Sequence, residues 1–131
     1  MTQNVPLFIM LTTDEHEKVQ MAAMTASVAA VSERNVEVFV SMNAIKIFRI
    51  KERAAKLKGG EFSSLMHEKN VPNPLELLEQ GKMLGDLKVY ACSMALDVSA
   101  TELSDLTDIV DDTAGLTKFL SDAEQGQLLV F

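Results

Sequence analysis

The chain has 131 residues, 47% of them hydrophobic, and a formal net charge of -7. A chain of this length and apolar content can bury a core without metals or disulfides, so we expect a single domain over residues 1–131. The negative charge repels nucleic-acid phosphates and argues against nucleic acid as a partner.

Cysteine content and hydropathy indicate the compartment. Cys92 is the single cysteine and cannot close an internal disulfide. No charged-then-apolar leader precedes the first apolar run, so we expect a protein of the reducing cytoplasm. The longest weakly polar stretch, residues 21–31, is about half the length of a transmembrane helix, which predicts no membrane span.

The first part of the chain reads as a strand followed by a helix. The continuous apolar run over residues 5–11 predicts a strand buried on both faces, as parallel strands are. Thr12 precedes Glu15 by three residues, a capping-box spacing that predicts a helix over about 13–34. Its apolar residues spread around the helix axis, so we expect it to pack on more than one side.

The middle of the chain alternates charged and irregular segments. Residues 36–42 predict a second strand, and the basic stretch 46–58 predicts a solvated helix, with docking of an acidic partner as the alternative. Residues 59–74 show no periodicity and are bracketed by glycine and proline, which is typical of a loop or lid. We interpret His67 in this segment as an exposed loop residue; the alternative is a proton shuttle above a pocket.

A better-defined helix follows. Asn73 can cap it, Pro74 suits its first position, and its end is predicted near Gly81 or Gly85. A strand over 87–91 comes next. The candidates for burial on this helix are Leu75, Leu77, Leu78 and Met83.

The remaining elements are short. After a helix opening at Ser93 we expect a helix over 101–106, a strand over 108–110, a helix over 113–123 and a last strand over 127–131. Strands that alternate with helices predict an α/β fold with a parallel sheet and helices on both faces.

Ligands of open parallel sheets collect beyond the carboxyl ends of the strands. Residues 12–13, 41–43 and 92–93 arrive at that edge and are expected to build the pocket. The chain has no Ser-His-Asp or Cys-His-Asn signature, no glycine-rich phosphate loop after the first strand and no recognised metal-ligand spacing. We therefore expect neither a metal nor a cofactor.

Cys92 is the residue with distinctive chemistry. A thiol between a strand end and a helix start has backbone N–H groups nearby that can stabilise its thiolate. Such a cysteine can accept sulfane sulfur as a persulfide, and the next acceptor thiol can belong to another protein. The alternative is a buried cysteine that fills space, as unpaired cysteines often do.

The segment over residues 86–98, Asp-Leu-Lys-Val-Tyr-Ala-Cys-Ser-Met-Ala-Leu-Asp-Val, resembles the cysteine segment of the DsrE/DsrF-like (DsrEFH-like) sulfur-relay family. Residues 12–14 before an alanine-rich helix and residues 38–46 agree with the family in order and spacing. The resemblance implies a three-layer α/β/α fold with a parallel five-stranded sheet, an oligomeric assembly, and Cys92 as the residue that accepts and passes sulfur.

The sequence also departs from its relatives. Some of them have a second cysteine shortly after the first, whereas residues 99–101 here are Ser-Ala-Thr, so no mechanism with an intramolecular cysteine pair is open to this chain. Met42 and Asn43 stand where relatives have an aromatic residue at the end of the second strand. The substrate preference is expected to differ accordingly.

Four residues around Cys92 are candidates for substrate binding. Ser93 can donate a hydrogen bond to a sulfur anion, Met94 can keep the site apolar, and Asn43 can donate an amide hydrogen bond. Thr12 belongs to the same strand edge. The alternatives are a helix cap for Ser93, core packing for Met94 and a turn or cap role for Asn43.

Two functions from different classes remain. The first is a cytoplasmic sulfur carrier or sulfurtransferase that uses Cys92, works as a homo-oligomer and serves a sulfur-carrier protein. The second is a non-catalytic subunit or small-ligand-binding module in which Cys92 is inert. The basic segment 46–58 and the acidic residues from Asp97 onward give the chain a charge polarity that can orient subunits or steer a basic partner.

Overall fold

The structure is a computed structural model and describes residues 4–53 and 57–131. Within these residues, five strands form one sheet in which every neighbouring pair is parallel. The strands are Leu7–Leu11 (β1), Val36–Val40 (β2), Leu87–Cys92 (β3), Asp112–Ala114 (β4) and Gln127–Val130 (β5). Their order across the sheet is β4-β3-β2-β1-β5.

The α-helices of the described residues are His16–Val31 (α1), Glu61–Glu68 (α2), Pro74–Leu84 (α3), Ser93–Val98 (α4) and Leu116–Ala123 (α5). Short 3-10 helices cover Met42–Phe48, Ile50–Glu52 and Leu103–Asp105. The alternation of strands and helices that the sequence predicts is therefore present, and the parallel five-stranded sheet is confirmed.

Helices lie on both faces of the sheet. On one face, α1 packs along α3 and against β1 and β2. On the other face, Phe119 of α5 stacks on Phe39 with ring centroids 4.9 Å apart and meets Phe8 edge-on at 5.9 Å. Phe8 and Phe39 belong to β1 and β2, so this aromatic cluster fastens α5 to the centre of the sheet.

How deeply the side chains of a strand are buried depends on the position of that strand in the sheet. Ile9, Val38 and Val89, on three adjacent strands, are fully buried, as the unbroken apolar runs predict. β5 is an edge strand, and its Leu128 and Val130 are exposed. Burial of apolar side chains is therefore concentrated in β1, β2 and β3.

α1 begins later than the capping-box spacing predicts. The helix starts at His16 with Glu15 as its N-cap, and Glu15 makes no side-chain cap. Thr12 donates its hydroxyl to the carbonyl of Phe131 at 3.0 Å, and Thr13 accepts from the Glu15 N–H at 3.1 Å. The two threonines are thus used by the sheet edge and a local turn, and the predicted start at residue 13 was wrong.

α1 also does not pack on every side. Its alanine-rich face is buried, but four apolar residues point outward and are exposed: Met21, Met24, Val28 and Val31. The helix contacts the sheet, α3 and α2, which confirms the prediction that it packs on more than one side, but no described element covers its outer surface.

The basic segment 46–58 is not one helix. Its described part forms the end of one 3-10 helix and a second short one, while residues 54–56 lie outside the described residues. Acids from other parts of the chain pair with it: Lys46 lies 3.4 Å from Asp14, and Arg53 pairs with Glu79. These ion pairs neutralise part of the positive charge that the sequence alone suggests for docking an acidic partner.

The segment 59–74 contains a helix that the sequence analysis missed. α2 covers eight of these residues, buries Ser63 and Met66, and packs against α1. Gly59 allows this packing, since a Cβ there would overlap the Ser63 side chain. Only two inward-facing residues on a short helix leave too little periodicity to read from the sequence.

α3 has the predicted N-terminus. Asn73 accepts a hydrogen bond from the Leu75 N–H at 2.8 Å, and Pro74 occupies the first turn. Gly85 is the C-cap. Met83, predicted as buried, is 81% exposed because it lies on the outer face of the helix, so that prediction was wrong.

Between α4 and α5 the predicted elements are displaced. The predicted helix over 101–106 is a single 3-10 turn, and the predicted strand over 108–110 lies at Asp112–Ala114. Ile109 and Val110 are buried without being part of a strand. Asp111 explains the shift, because its N–H donates to the Val89 carbonyl and its carboxylate accepts from the Val89 N–H, both at 2.8 Å.

Candidate functional site

The three strand ends expected to form a pocket are neighbours. β1, β2 and β3 are adjacent and in parallel register, with Leu11 opposite Val40 and Val40 opposite Ala91. The next residues, Thr12, Ser41 and Cys92, therefore reach the carboxyl edge of the sheet at the same level. This adjacency confirms the expectation that the segments meet at one edge.

Cys92 is the junction between strand and helix. It is the last residue of β3, pairs with Ala114 of β4, and is the N-cap residue of α4. It is 4% exposed, whereas the sulfur-relay hypothesis expects an accessible thiol. Strand alternation places it on the same face as Tyr90, the face covered by α5, and the surrounding apolar packing accounts for its burial.

Ser93 and Met94 form the first turn of α4. Both are exposed, and Met94 is 49% accessible. α4 packs beside the 3-10 helix that follows β2, so these residues and Asn43 lie on neighbouring elements. Core packing, the alternative role for Met94, is therefore wrong for the single chain.

Asn43 is exposed in the second position of the 3-10 helix Met42–Phe48. The preceding Met42 has a left-handed backbone, with φ 52, and a side chain that is 57% exposed. A non-glycine residue in this region is strained, and such strain is concentrated at functional sites and ligand clamps. Two exposed methionines, Met42 and Met94, thus flank the end of β2 and the start of α4.

Thr12 has a structural task. Its N–H and its hydroxyl both donate to the carbonyl of Phe131, at 2.9 and 3.0 Å. The hydroxyl proton is therefore committed to holding the residue after β5 against the end of β1. The oxygen of Thr12 retains its lone pairs for accepting a further hydrogen bond.

A cavity of about 150 Å³ lies farther along the same edge. Its charged lining includes Asp14, Lys46 and Lys58, and its apolar lining includes Leu57 and Leu75. Cys92 is not among the residues that line it. This charged depression is therefore separate from the thiol.

Both histidines lie away from this arrangement. His16 begins α1, and His67 on α2 stacks on it with ring centroids 4.7 Å apart. His67 is half-buried on a helix, so its interpretation as an exposed loop residue was wrong. Burial and the neighbouring His67 lower the pKa of His16, against smaller opposing effects of Gln20 and Glu17.

Two polar residues share the sheet face that carries Cys92. Burial raises the pKa of Glu37, and nearby Asp122 adds to this effect. Burial also raises the pKa of Tyr90, with the Glu37 carboxylate as the next contribution. At neutral pH the phenol of Tyr90 is thus a neutral hydrogen-bond donor two residues before Cys92.

The described residues contain no group of three or more histidine, cysteine, aspartate or glutamate side chains arranged to hold a metal ion. In the same part of the chain, no helix has both the length and the apolar character needed to cross a bilayer.

Comparison with protein families identifies the class. The model of the DsrE/DsrF/DrsH-like family matches residues 51–131, which is more than half of the chain and includes Cys92. The chain therefore belongs to the DsrE/DsrF/DrsH-like family.

A solved structure supports the same fold. The protein of unknown function MTH1491 from Methanobacterium thermoautotrophicum is similar with a TM-score of 0.66 and 16% identity, over 98% of this chain and 100% of that one. At this identity the similarity shows the fold and nothing finer. The comparison with curated proteins gave no match.

Proposed function

We propose that this protein is a cytoplasmic sulfur carrier in which Cys92 accepts sulfane sulfur and passes it to a partner thiol. The observation that carries the proposal is the position of Cys92, within the family-matched region and at the junction of β3 and α4 on the shared strand edge. The carrier is a single domain over residues 1–131 and needs neither metal nor cofactor.

The chemistry is a pair of thiolate displacements. With thiosulfate as donor, the Cys92 thiolate attacks the outer sulfur, the S–S bond to the sulfonate breaks, and sulfite leaves with the bonding electrons. The product is a Cys92 persulfide anion. A partner thiolate then attacks the outer sulfur, becomes the persulfide, and releases the Cys92 thiolate. Neither step requires a second cysteine in this chain.

The neighbours of Cys92 have defined tasks in this proposal. Ser93 and Met94 follow directly, so their backbone N–H groups belong to the first turn of α4, where helical partners are lacking. These groups and the Ser93 hydroxyl donate to the persulfide anion. Asn43 supplies an amide hydrogen-bond donor to the sulfur donor, and Thr12 shapes the binding edge by holding Phe131 against the end of β1. Met94 excludes water.

Because the thiol is buried, the chain has to open locally before a sulfur donor can react with it. Because Cys92 is 4% exposed, a donor reaches the sulfur only when the turn between β3 and α4 opens locally. The exposed side chains of Met42 and Met94 lie beside this turn and can move without loss of core packing. Small donors are therefore expected to react faster than bulky ones.

The direct test is intact-protein mass spectrometry. The purified protein is treated with thiosulfate, polysulfide or tetrathionate, and an adduct that reductant removes is expected for the natural sequence and absent in Cys92→Ser. Ser99→Ala is a matched control, because it removes a hydroxyl at the opposite end of α4, seven residues after Cys92. Failure of all three donors to modify Cys92 would contradict the carrier function.

A second candidate is favoured by the burial of Cys92 itself. In this alternative the protein is a non-catalytic subunit or small-ligand-binding module, and the cysteine fills space beneath α5. Labelling of Cys92 with a methyl thiosulfonate reagent and with a bulky aromatic disulfide distinguishes this candidate from the sulfur carrier. If neither labels the folded protein within hours, although both label it in urea, the second candidate is preferred.

The proposed carrier works as a homo-oligomer with a sulfur-carrier protein as partner. The exposed apolar row of α1, Met21, Met24, Val28 and Val31, is the kind of surface that subunit contacts cover. The charge polarity between the basic segment and the acidic residues from Asp97 onward would orient subunits. An oligomer size unchanged in high salt would contradict that electrostatic contribution.

A further inference from the structure

The contact between α1 and α2 is built from four polar side chains. His16 and Gln20, one turn apart on α1, face a segment in which Ser63 and His67 are also one turn apart. The His16 Nδ1 and the Ser63 Oγ are 2.6 Å apart, and the rings of His16 and His67 are stacked. Gln20 donates its amide to the carbonyl of Pro72 at 3.1 Å, just beyond α2.

These side chains are withdrawn from water. His16, Gln20 and Ser63 are 4%, 3% and 2% exposed. Within the described residues, the Nε2 of His67 and the Oε1 of Gln20 are buried without a hydrogen-bond partner. A serine–histidine pair so enclosed cannot meet a substrate, so the cluster is a contact between helices and not a catalytic dyad.

We propose that this cluster is an acid-sensitive latch: an uncharged His16 imidazole, paired with Ser63 and stacked on His67, holds α2 on α1 at neutral pH, and protonation of His16 at mildly acidic pH releases the segment 59–72. A charge on His16 would be buried, would face a second imidazole, and would convert Nδ1 from an acceptor of the Ser63 hydroxyl into a donor. Each change favours the open state, in which both imidazoles are hydrated.

The other charged groups near His16 offer limited compensation. Asp14 and Glu15 are each engaged with a lysine, Lys46 and Lys18 respectively. Lys58, whose carbonyl accepts from the His16 N–H, adds positive charge beside the pair. The opposing groups are Glu17, which reaches toward Gly60 at the start of α2, and the exposed acids Glu61 and Glu68 of α2.

Burial and the neighbouring His67 lower the pKa of His16 by more than the Gln20 side chain and Glu17 raise it. The net direction means that the latched state binds protons less readily than the open state. Its stability is therefore complete above the ordinary histidine pKa of 6.5 and falls as the pH drops below that value.

α2 is suited to local release. Ser63 and Met66 are its buried residues, while Phe62 and Leu65 are exposed, so few apolar contacts hold it. Gly59 and Gly60 precede it, and Asn70 after it has φ 56. Release would uncover the first turn of α1 at the carboxyl edge of the sheet, which changes the surface offered to ligands there.

Hydrogen exchange measured by mass spectrometry tests the latch on the 131-residue chain. The opening constant of α2 amides, corrected for intrinsic exchange, is compared at pH 7.5 and 5.5. If the open state has an ordinary histidine pKa and latched His16 stays neutral, the constant rises about tenfold over this interval. Peptides from α3 and β3 are the internal reference and are expected to change less than twofold.

Three variants locate the effect. His16→Asn retains a hydrogen-bond partner for Ser63 but does not titrate, so the tenfold pH effect on the α2 opening constant is expected to shrink to less than threefold. His67→Phe retains the stacked ring, and the pH effect is expected to decrease. Glu68→Gln, which removes an exposed charge from α2, is expected to keep it. An α2 opening constant independent of pH in the natural protein, or the same tenfold change in His16→Asn, would overturn the proposal.

Discussion

Replacing Phe119 with alanine tests whether one aromatic residue fastens α5 over the sheet face that carries Cys92. Phe119 is 2% exposed, stacks on Phe39 and meets Phe8 edge-on. Truncation of a buried phenylalanine loses its transfer free energy and leaves a cavity, which together cost about 3–5 kcal/mol. This is a large part of the roughly 5–15 kcal/mol that stabilises a typical domain.

The assay is urea unfolding followed by far-ultraviolet circular dichroism, since the chain has no tryptophan and one tyrosine to report fluorescence. Leu120→Ala is the matched control, because this neighbour on the same helix is 42% exposed and is expected to cost about 1 kcal/mol or less. A loss below about 1 kcal/mol for Phe119→Ala, or equal losses for both variants, would refute the anchoring role of the ring.

Three further substitutions test the fold around the site. Gly85→Ala places a Cβ against the backbone carbonyl of Ala30, so α3 has to shift away from α1. We expect this variant to unfold at a lower urea concentration than Gly115→Ala, because no atom lies close to a Cβ at position 115. Asn73→Ala removes the cap of α3 and is expected to lower the free energy of unfolding by about 1 kcal/mol, whereas Asn73→Asp is expected to retain most of it. The folded state raises the pKa of Glu37, so the ionised carboxylate destabilises the protein at pH values above its ordinary pKa of 4.5. Glu37→Gln is therefore expected to raise the melting temperature at pH 7.5 and not at pH 3.5. An equal change at both pH values would contradict the upward shift of the Glu37 pKa.

The sheet could be predicted because its strands are continuous apolar runs. β1, β2 and β3 are separated from helices by clear changes of pattern, and their positions in the sequence agree with the structure to within two residues. The junction at Cys92 was predicted for the same reason. The family resemblance of the Cys-Ser-Met segment is supported by the family match over 51–131.

The segments that were misread depend on contacts made by distant residues. Thr12 has a capping-box spacing to Glu15, but Phe131, 119 positions away, takes its hydroxyl. β4 lies four residues beyond its predicted place because Asp111 forms hydrogen bonds with Val89. Local patterns cannot reveal such partners.

The candidate site was predicted in position but not in exposure. The alignment of Thr12, Ser41 and Cys92 follows from parallel strands, whereas the burial of the thiol depends on how Tyr90 and α5 cover one face. The helix α2 was missed as well, because its two buried residues leave too little periodicity to read from the sequence.

The pairing of β1 with β5 has a consequence for biosynthesis. Leu7 pairs with Gln127, a separation of 120 positions, so one flank of the buried strand β1 remains without its neighbour until β5 has left the ribosome. Contacts of this sequence separation slow folding, and a bare strand edge recruits strands from other molecules. Chaperone capture during synthesis is therefore expected to persist until β5 docks.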